Sequence, residues 1–397
     1  MNVPKLRFKE FQGYWESKIL GDIATISSGG TPSRDNPFYW NGNIPWITTS
    51  LINFNNINNS NEFLTDEGLK NSSAKIFPKD TILMAMYGQG ITRGKVSILN
   101  IDAATNQACA AIMLHGASNK DFIFFDLQKK YDYIRDLSNE GGQKNLSAGI
   151  IKNIQITKPS LKEQTKIASF LSSVDEKIAQ LSRKHELLQQ YKQGMMQQLF
   201  SQKLRFKDDK GEDFPEWEKL NASEIFENYS NKNHDRNLTI LAATQDKGII
   251  PREQIEIDIK TSDASIKSYK KIEIGNFVIS LRSFQGGIEY SNYSGICSPA
   301  YTVLKSIKPI NDEFYKNYLK THDFIQKLNA TVIGIRDGKQ ISYQAFSDLI
   351  LDYPPSLKEQ AKIANFLTAI DNKIEAVAKQ LEQARVWKQG LLQQMFV

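Results

Sequence analysis

The sequence predicts an α+β protein: two mixed α/β domains joined by two long antiparallel coiled-coil helices, the whole written as an internal repeat with pseudo-twofold character. Three observations carry this. One unit occurs twice, its tail has helical periodicity, and short β-rich runs divided by turn residues precede each tail.

The repeat is the strongest signal. Residues 159–200 read PSLKEQTKIASFLSSVDEKIAQLSRKHELLQQYKQGMMQQLF, and residues 355–396 read PSLKEQAKIANFLTAIDNKIEAVAKQLEQARVWKQGLLQQMF. The offset is 196 residues without a gap, and 21 of the 42 positions are identical. Upstream, Lys5-Leu-Arg-Phe-Lys9 recurs as Lys203-Leu-Arg-Phe-Lys207, with Trp15 and Trp217 following. Ile76 answers Ile272, and Gln89-Gly90 answers Gln285-Gly286. The chain is thus two halves, each a variable globular part followed by a near-constant tail.

Each tail reads as a helix. Apolar residues fall at 167, 171, 174, 178, 181, 188, 195 and 199, and again at 363, 367, 370, 374, 377, 381, 384, 391 and 395. This alternating four-three spacing marks a coiled-coil seam. Ser160, with Glu163 three residues on, suits a capping box. Forty helical residues span about 60 Å. Two matching seams in one chain most simply pack on each other, antiparallel.

The preceding parts read as mixed α and β. Runs at 81–86, 95–101, 277–281 and 300–304 suit strands, and 121–137 and 312–328 suit helices. The expected division is a first domain over 1–157, a helix over 158–202, a second domain over 203–353 and a helix over 354–397.

Composition narrows the function. Hydrophobic residues make up 40% and charged residues 24% of 397, and net charge is +6, so an anionic partner is admissible without being demanded. Cys109 and Cys297 stand alone, and the four histidines are scattered, which argues against disulfides and zinc. Neither a signal peptide nor a membrane span is evident, which predicts a cytoplasmic protein.

Enzyme motifs fail on spacing. Gly88-Gln-Gly-Ile-Thr-Arg-Gly94-Lys95 lacks the four residues that a phosphate loop needs between its glycines, and Val96 stands where Ser or Thr is needed. Asp352-Tyr-Pro-Pro355 holds the residues of an amino-methyltransferase tetrad in scrambled order, and the first half has Thr157-Lys158-Pro159 there. It reads as a helix-entry turn. No catalytic, cofactor-binding or metal-binding residues are assigned.

A PSLKEQxKIAxFL opening into a long helix, once centrally and once at the end, resembles the conserved regions of type I restriction-modification specificity subunits. Gly29-Gly-Thr-Pro-Ser33, Ile44-Pro-Trp-Ile47, the stretch from Gly94-Lys-Val to Asn106-Gln107, Arg282-Ser-Phe-Gln-Gly-Gly287 and Ser298-Pro-Ala-Tyr301 resemble its target-recognition domains. The resemblance implies a non-catalytic subunit that binds double-stranded DNA, each domain reading one half of an asymmetric bipartite target. The helices would set the gap. Two methyltransferase subunits would carry S-adenosylmethionine, and two restriction subunits would bring ATP and Mg. The competing expectation is a coiled-coil adaptor without DNA specificity.

Base-edge readers should be polar groups on loops, because these match major-groove donors and acceptors. The repeat puts equivalent loops after a strand in both halves. In the first, the candidates are Tyr87, Gln89, Thr92, Arg93 and Lys95, then Gln143, Lys144 and Asn145. In the second they are Arg282, Ser283, Gln285 and Tyr290, then Arg336, Lys339 and Gln340. For each, the alternative is a solvated surface residue or a turn former. Gly90 and Gly286 read as backbone turn residues, and Trp15, Trp40, Trp46 and Trp217 as core anchors.

Overall fold

The computed structural model describes residues 3–88, 91–137, 145–234, 237–245, 247–255, 266–331 and 341–397, the side chain of Phe284 excepted. The chain forms two compact units, Met1–Ser182 with Lys379–Val397, and Arg183–Ala378. Each unit therefore takes part of both long helices.

In the first unit, a five-stranded sheet runs in the order Ala24–Ser28, Cys109–Leu114, Ile82–Ala85, Val96–Leu99, Asn56–Ile57. Its pairings are antiparallel except the last, which is parallel. Alternate residues serve two cores, as the period of a strand requires. Ile82, Met84, Val96, Ile98, Ala110 and Ile112 face a core that holds Phe122, Ile123 and Phe125 of the helix Lys120–Lys129. Leu83, Ala85, Leu99, Cys109 and Ala111 face a second core with Ile47, Ile52 and Phe77. A four-stranded sheet, ordered Glu62–Leu64, Trp40–Ile47, Ala103–Thr105, Ile76–Phe77, lines that side.

The second unit repeats the frame with shorter strands. Its sheet runs Phe226–Asn228, Thr302–Ser306, Phe277–Ile279, Glu289–Tyr290. Phe277, Ile279 and Leu304 join the larger core, while Val278 and Val303 join a smaller one with Leu241 and Ile272. In both units the strand that enters the globular part pairs with the strand that leaves it. Glu16–Ile19 lies antiparallel to Gln155–Lys158, and Glu218–Asn221 to Ile350–Tyr353. The expected helical stretches each break in two, at Lys130 and between Tyr318 and His322.

The tails are single helices, Leu161–Phe200 and Leu357–Met395. The core of the first unit includes Ile167, Ala168, Leu171 and Val174 of one, and Leu391, Leu392 and Met395 of the other. That of the second unit includes Leu199 and Phe200 with Ile363, Ala364, Leu367 and Ile370. Each buried Leu or Ile contributes about 1.5–3 kcal/mol, so both helices are integral to both folds. Within each unit an ion pair joins the two helix segments: Asp175 meets Lys388 in the first, and Lys192 meets Asp371 in the second.

The recurring Lys-Leu-Arg-Phe-Lys segments also find a physical role. Arg7 forks onto Glu163 (Nε–Oε1 2.7 Å, Nη2–Oε2 2.8 Å), and Arg205 does the same to Glu359 at 3.1–3.2 Å. The Ser160 hydroxyl accepts from the Glu163 amide at 3.4 Å, but the Glu163 carboxylate serves Arg7 rather than closing a capping box. Trp15, Trp46 and Trp217 are buried anchors, as expected; Trp40 is half-buried.

Candidate nucleic-acid interface

The loop after strand Ile82–Ala85 is held down by local bonds. The Gly94 amide donates to the Ala85 carbonyl, and the Tyr131 hydroxyl donates to the Ile91 carbonyl. Tyr87 is 40% exposed, and Thr92 is half-buried. Arg93 is half-buried too, and its Nη2 donates to the Arg135 carbonyl at 2.7 Å. That carbonyl lies in the last turn of helix Tyr131–Asp136, where a cation is favoured. Lys95 reaches Asn53 Oδ1 at 2.7 Å and lies over the Phe54 ring.

Asn145 is half-buried beside Tyr87, because the Leu146 amide donates to the Met86 carbonyl and joins the two segments. Together they line a cleft of about 380 Å³. Ser27, Ser28 and Gln107 line it as well. These three were not among the sequence candidates. Asn106-Gln107 was visible as a motif, yet its proximity to Tyr87 arises only from the strand order. Gln89, Gln143 and Lys144 lie outside the described residues.

In the second unit, Arg282 and Gln285 are exposed on the short turn of helix Ser283–Gly286. Gln285 Oε1 faces Gln245 Nε2 at 3.5 Å. Ser283 is 1% exposed, and its hydroxyl accepts from the Ser280 amide, so it braces the turn. Tyr290 is also buried, packed edge-on against Phe277, and its hydroxyl donates to Asp312 Oδ2 at 3.1 Å. Burial first, and the neighbouring Asp312 second, push its phenol up to about 12. The left-handed turn residue is Gly287 (φ +80°) rather than Gly286. A Cβ there would lie 2.2 Å from the Leu319 carbonyl oxygen. Arg336, Lys339 and Gln340 lie outside the described residues.

Asp352, of the scrambled tetrad, is 7% exposed and fully engaged. It binds Lys219, and Tyr318 Oη donates to its Oδ2 at 3.0 Å. This is a fold anchor. Cys109 and Cys297 are free, buried thiols pushed up to about 12 by desolvation, a poor state for a nucleophile. Among the described residues, no group of three or more His, Cys, Asp or Glu could hold a metal. No described helix is long and apolar enough to cross a membrane.

These features define a duplicated scaffold protein: two globular modules with polar loops, each closed by segments of two long helices. Residues 13–190 and 215–385 match the family described as the type I restriction modification DNA specificity domain. The chain belongs to that family, the DNA specificity subunits of type I restriction-modification systems, which are non-catalytic and carry no cofactor of their own. It is similar to the MjaIX specificity subunit of Methanocaldococcus jannaschii, 31% identical over 180 residues. That match covers 44% of this chain and spans only 41% of the relative's length. The MjaVIII specificity subunit of the same organism is 24% identical over an alignment of 423 residues, covering 97% of this chain and 94% of the relative. In fold, the chain is similar to the crystal structure of a type I specificity subunit from M. genitalium, with TM-score 0.60 and 16% identity. That likeness covers 100% of this chain and 99% of the other.

Proposed function

We propose that each globular module reads one half of an asymmetric, bipartite double-stranded DNA target, and that the paired helices set the gap between the halves. One observation carries this reading. The two modules share their frame, from the paired entry and exit strands to the helix-closed core, yet differ in the loops they expose. A constant frame under variable polar loops is what two unlike half-sites require. Tyr87, Thr92, Lys95 and Asn145 in the first module, and Arg282 and Gln285 in the second, are the exposed or half-exposed candidates for contact. Arg93, Ser283 and Tyr290 would act by holding those loops in shape.

The helices also offer a surface for two copies of one partner, the methyltransferase subunit. Phe8, Phe170 and Trp387 form a chain of edge-on rings at 5.9 and 6.0 Å, and Trp387 is 53% exposed. The repeat places Phe206, Phe366 and Tyr191 at the corresponding positions, with Phe206 and Phe366 5.4 Å apart and Tyr191 51% exposed. Exposed aromatic clusters of this kind suit interface anchors. S-adenosylmethionine would bind that partner, and restriction subunits with ATP and Mg would join the complete assembly, in the cytoplasm.

The test is genome-wide mapping of N6-methyladenine in cells with the methyltransferase, with and without this chain. An asymmetric, gapped motif that disappears with the chain supports the reading. Methylation by an active partner with no motif that depends on the chain overturns it.

A further inference from the structure

Two segments of the first module that are remote in sequence meet at one hydrogen bond. Gly29-Gly30-Thr31 follows the strand Ala24–Ser28 and is wedged against the second sheet: a Cβ on Gly29 would lie 1.9 Å from the Thr105 carbonyl oxygen, and one on Gly30 2.1 Å from Ser73 Oγ. Such closeness admits only glycine. The Gly30 amide donates to the Thr105 carbonyl at 2.9 Å, and the Trp46 indole N–H donates to the Gly30 carbonyl at 3.0 Å. Thr31 therefore leaves a rigid base.

Opposite it, the Asn106 amide donates to the Ile47 carbonyl, and the Asn106 side chain and carbonyl accept from the Ala108 and Cys109 amides. This tight turn pushes Gln107 outward, exposed, at the rim of the cleft shared with Tyr87 and Asn145. The Thr31 hydroxyl donates to Gln107 Oε1 at 2.5 Å. With its carbonyl oxygen so engaged, the Gln107 amide presents chiefly its two N–H donors.

We infer that the Thr31–Gln107 pair is a DNA-contacting element: a pre-oriented donor for an acceptor-only group of the duplex. Two groups share that chemistry, a phosphate oxygen and the acceptor edge of a base, such as guanine O6 and N7 or thymine O4. Locking a polar side chain from behind is how a binding group keeps its geometry before the ligand arrives. The inference rests on the first module being a DNA reader and adds a site residue to it.

The experiment uses the complex of this chain with its methyltransferase and a duplex carrying the methylated motif. Gln107→Ala should weaken binding about 5-fold or more, and Gln107→Glu, which sets an acceptor against an acceptor, about 10-fold or more. Thr31→Val should act in the same direction, with thermal stability of all three variants unchanged. If the contact is a base edge, the loss vanishes on duplexes altered at one position, and the methylated motif relaxes there. If it is a phosphate, the loss is uniform across sequences, and Gln107→Lys restores affinity with a steeper salt dependence. Wild-type affinity in both Gln107→Ala and Gln107→Glu overturns the inference alone. Failure of the wild-type complex to select any sequence overturns the proposed function and this contact with it.

Discussion

Lys388 Nζ lies 2.6 Å from Asp175 Oδ1, and the repeat turns this pair around: Lys192 Nζ lies 2.7 Å from both carboxylate oxygens of Asp371. Asp175 and Asp371 are equivalent positions of the two tails, as are Lys192 and Lys388. Each pair therefore joins one copy of the tail to the other, once in each unit.

The first pair is the better shielded, with side-chain exposures of 11% and 35% against 23% and 46% for the second. Lys388 also lies over the Phe125 ring and donates to Gln128. Lys388→Met should lower stability by about 1–2 kcal/mol, and Lys192→Met by less. A cycle with Asp175→Asn, read by urea unfolding, should show coupling for Lys388. Additive effects would mean that the pair contributes no specific attraction.

Trp387→Asp should leave the melting temperature within a degree or two and weaken assembly with the methyltransferase by about 30-fold or more, as for an interface anchor. Mass measured by light scattering across a titration is the readout. Undiminished assembly in this variant and in Tyr191→Asp would place the partner elsewhere on the helices.

Arginines 93 and 282, at comparable sites in sequence, should behave differently. Arg282→Ala should cost about 1–3 kcal/mol of discrimination at one base position, in one half of the motif. Arg93→Ala removes a donor to the last turn of a helix, so its first effect should be a loss of about 1 kcal/mol in stability. Lys95→Ala should weaken binding on all sequences. Methylated motifs and melting curves of the three variants separate these outcomes.

Asp126 is buried in the first core at 1% exposure, and burial raises its pKa despite Lys130 at 2.6 Å. Between the ordinary carboxylate range and this raised value, the folded state holds a proton that the unfolded state has lost. This group therefore adds stability as pH falls through that window and withdraws it as pH rises. As pH falls from neutrality toward the ordinary carboxylate range, the wild type should gain stability relative to Asp126→Asn. Parallel urea curves for the two proteins across that range would refute the assignment.

The duplication, the two helices and the main strands were legible in the sequence because each depends on local periodicity or on plain repetition. A seam at residues 167, 171 and 174 buries one stripe whatever it packs against, and Ile167, Leu171 and Val174 are buried. Strand Ile82–Ala85 fell within the run expected for it. The reading loops were less legible, since exposure is not a property of residue type. Tyr290 and Ser283 suit base contact by their chemistry, yet strand pairing and a tight turn carry both inside. Arg93 has the right chemistry but is directed to a helix end by the fold of its loop.

The sequence by itself determined that this protein is a doubled module with two long helical tails and the motifs of a specificity subunit. Tertiary structure alone decided that each core is closed by both tails, that the Lys–Asp pairs answer one another, and that Thr31 meets Gln107, 76 residues away. The reason is physical. Periodicity acts between neighbours along the chain, whereas contacts between distant segments depend on sheet order and helix register, which only the assembled core sets.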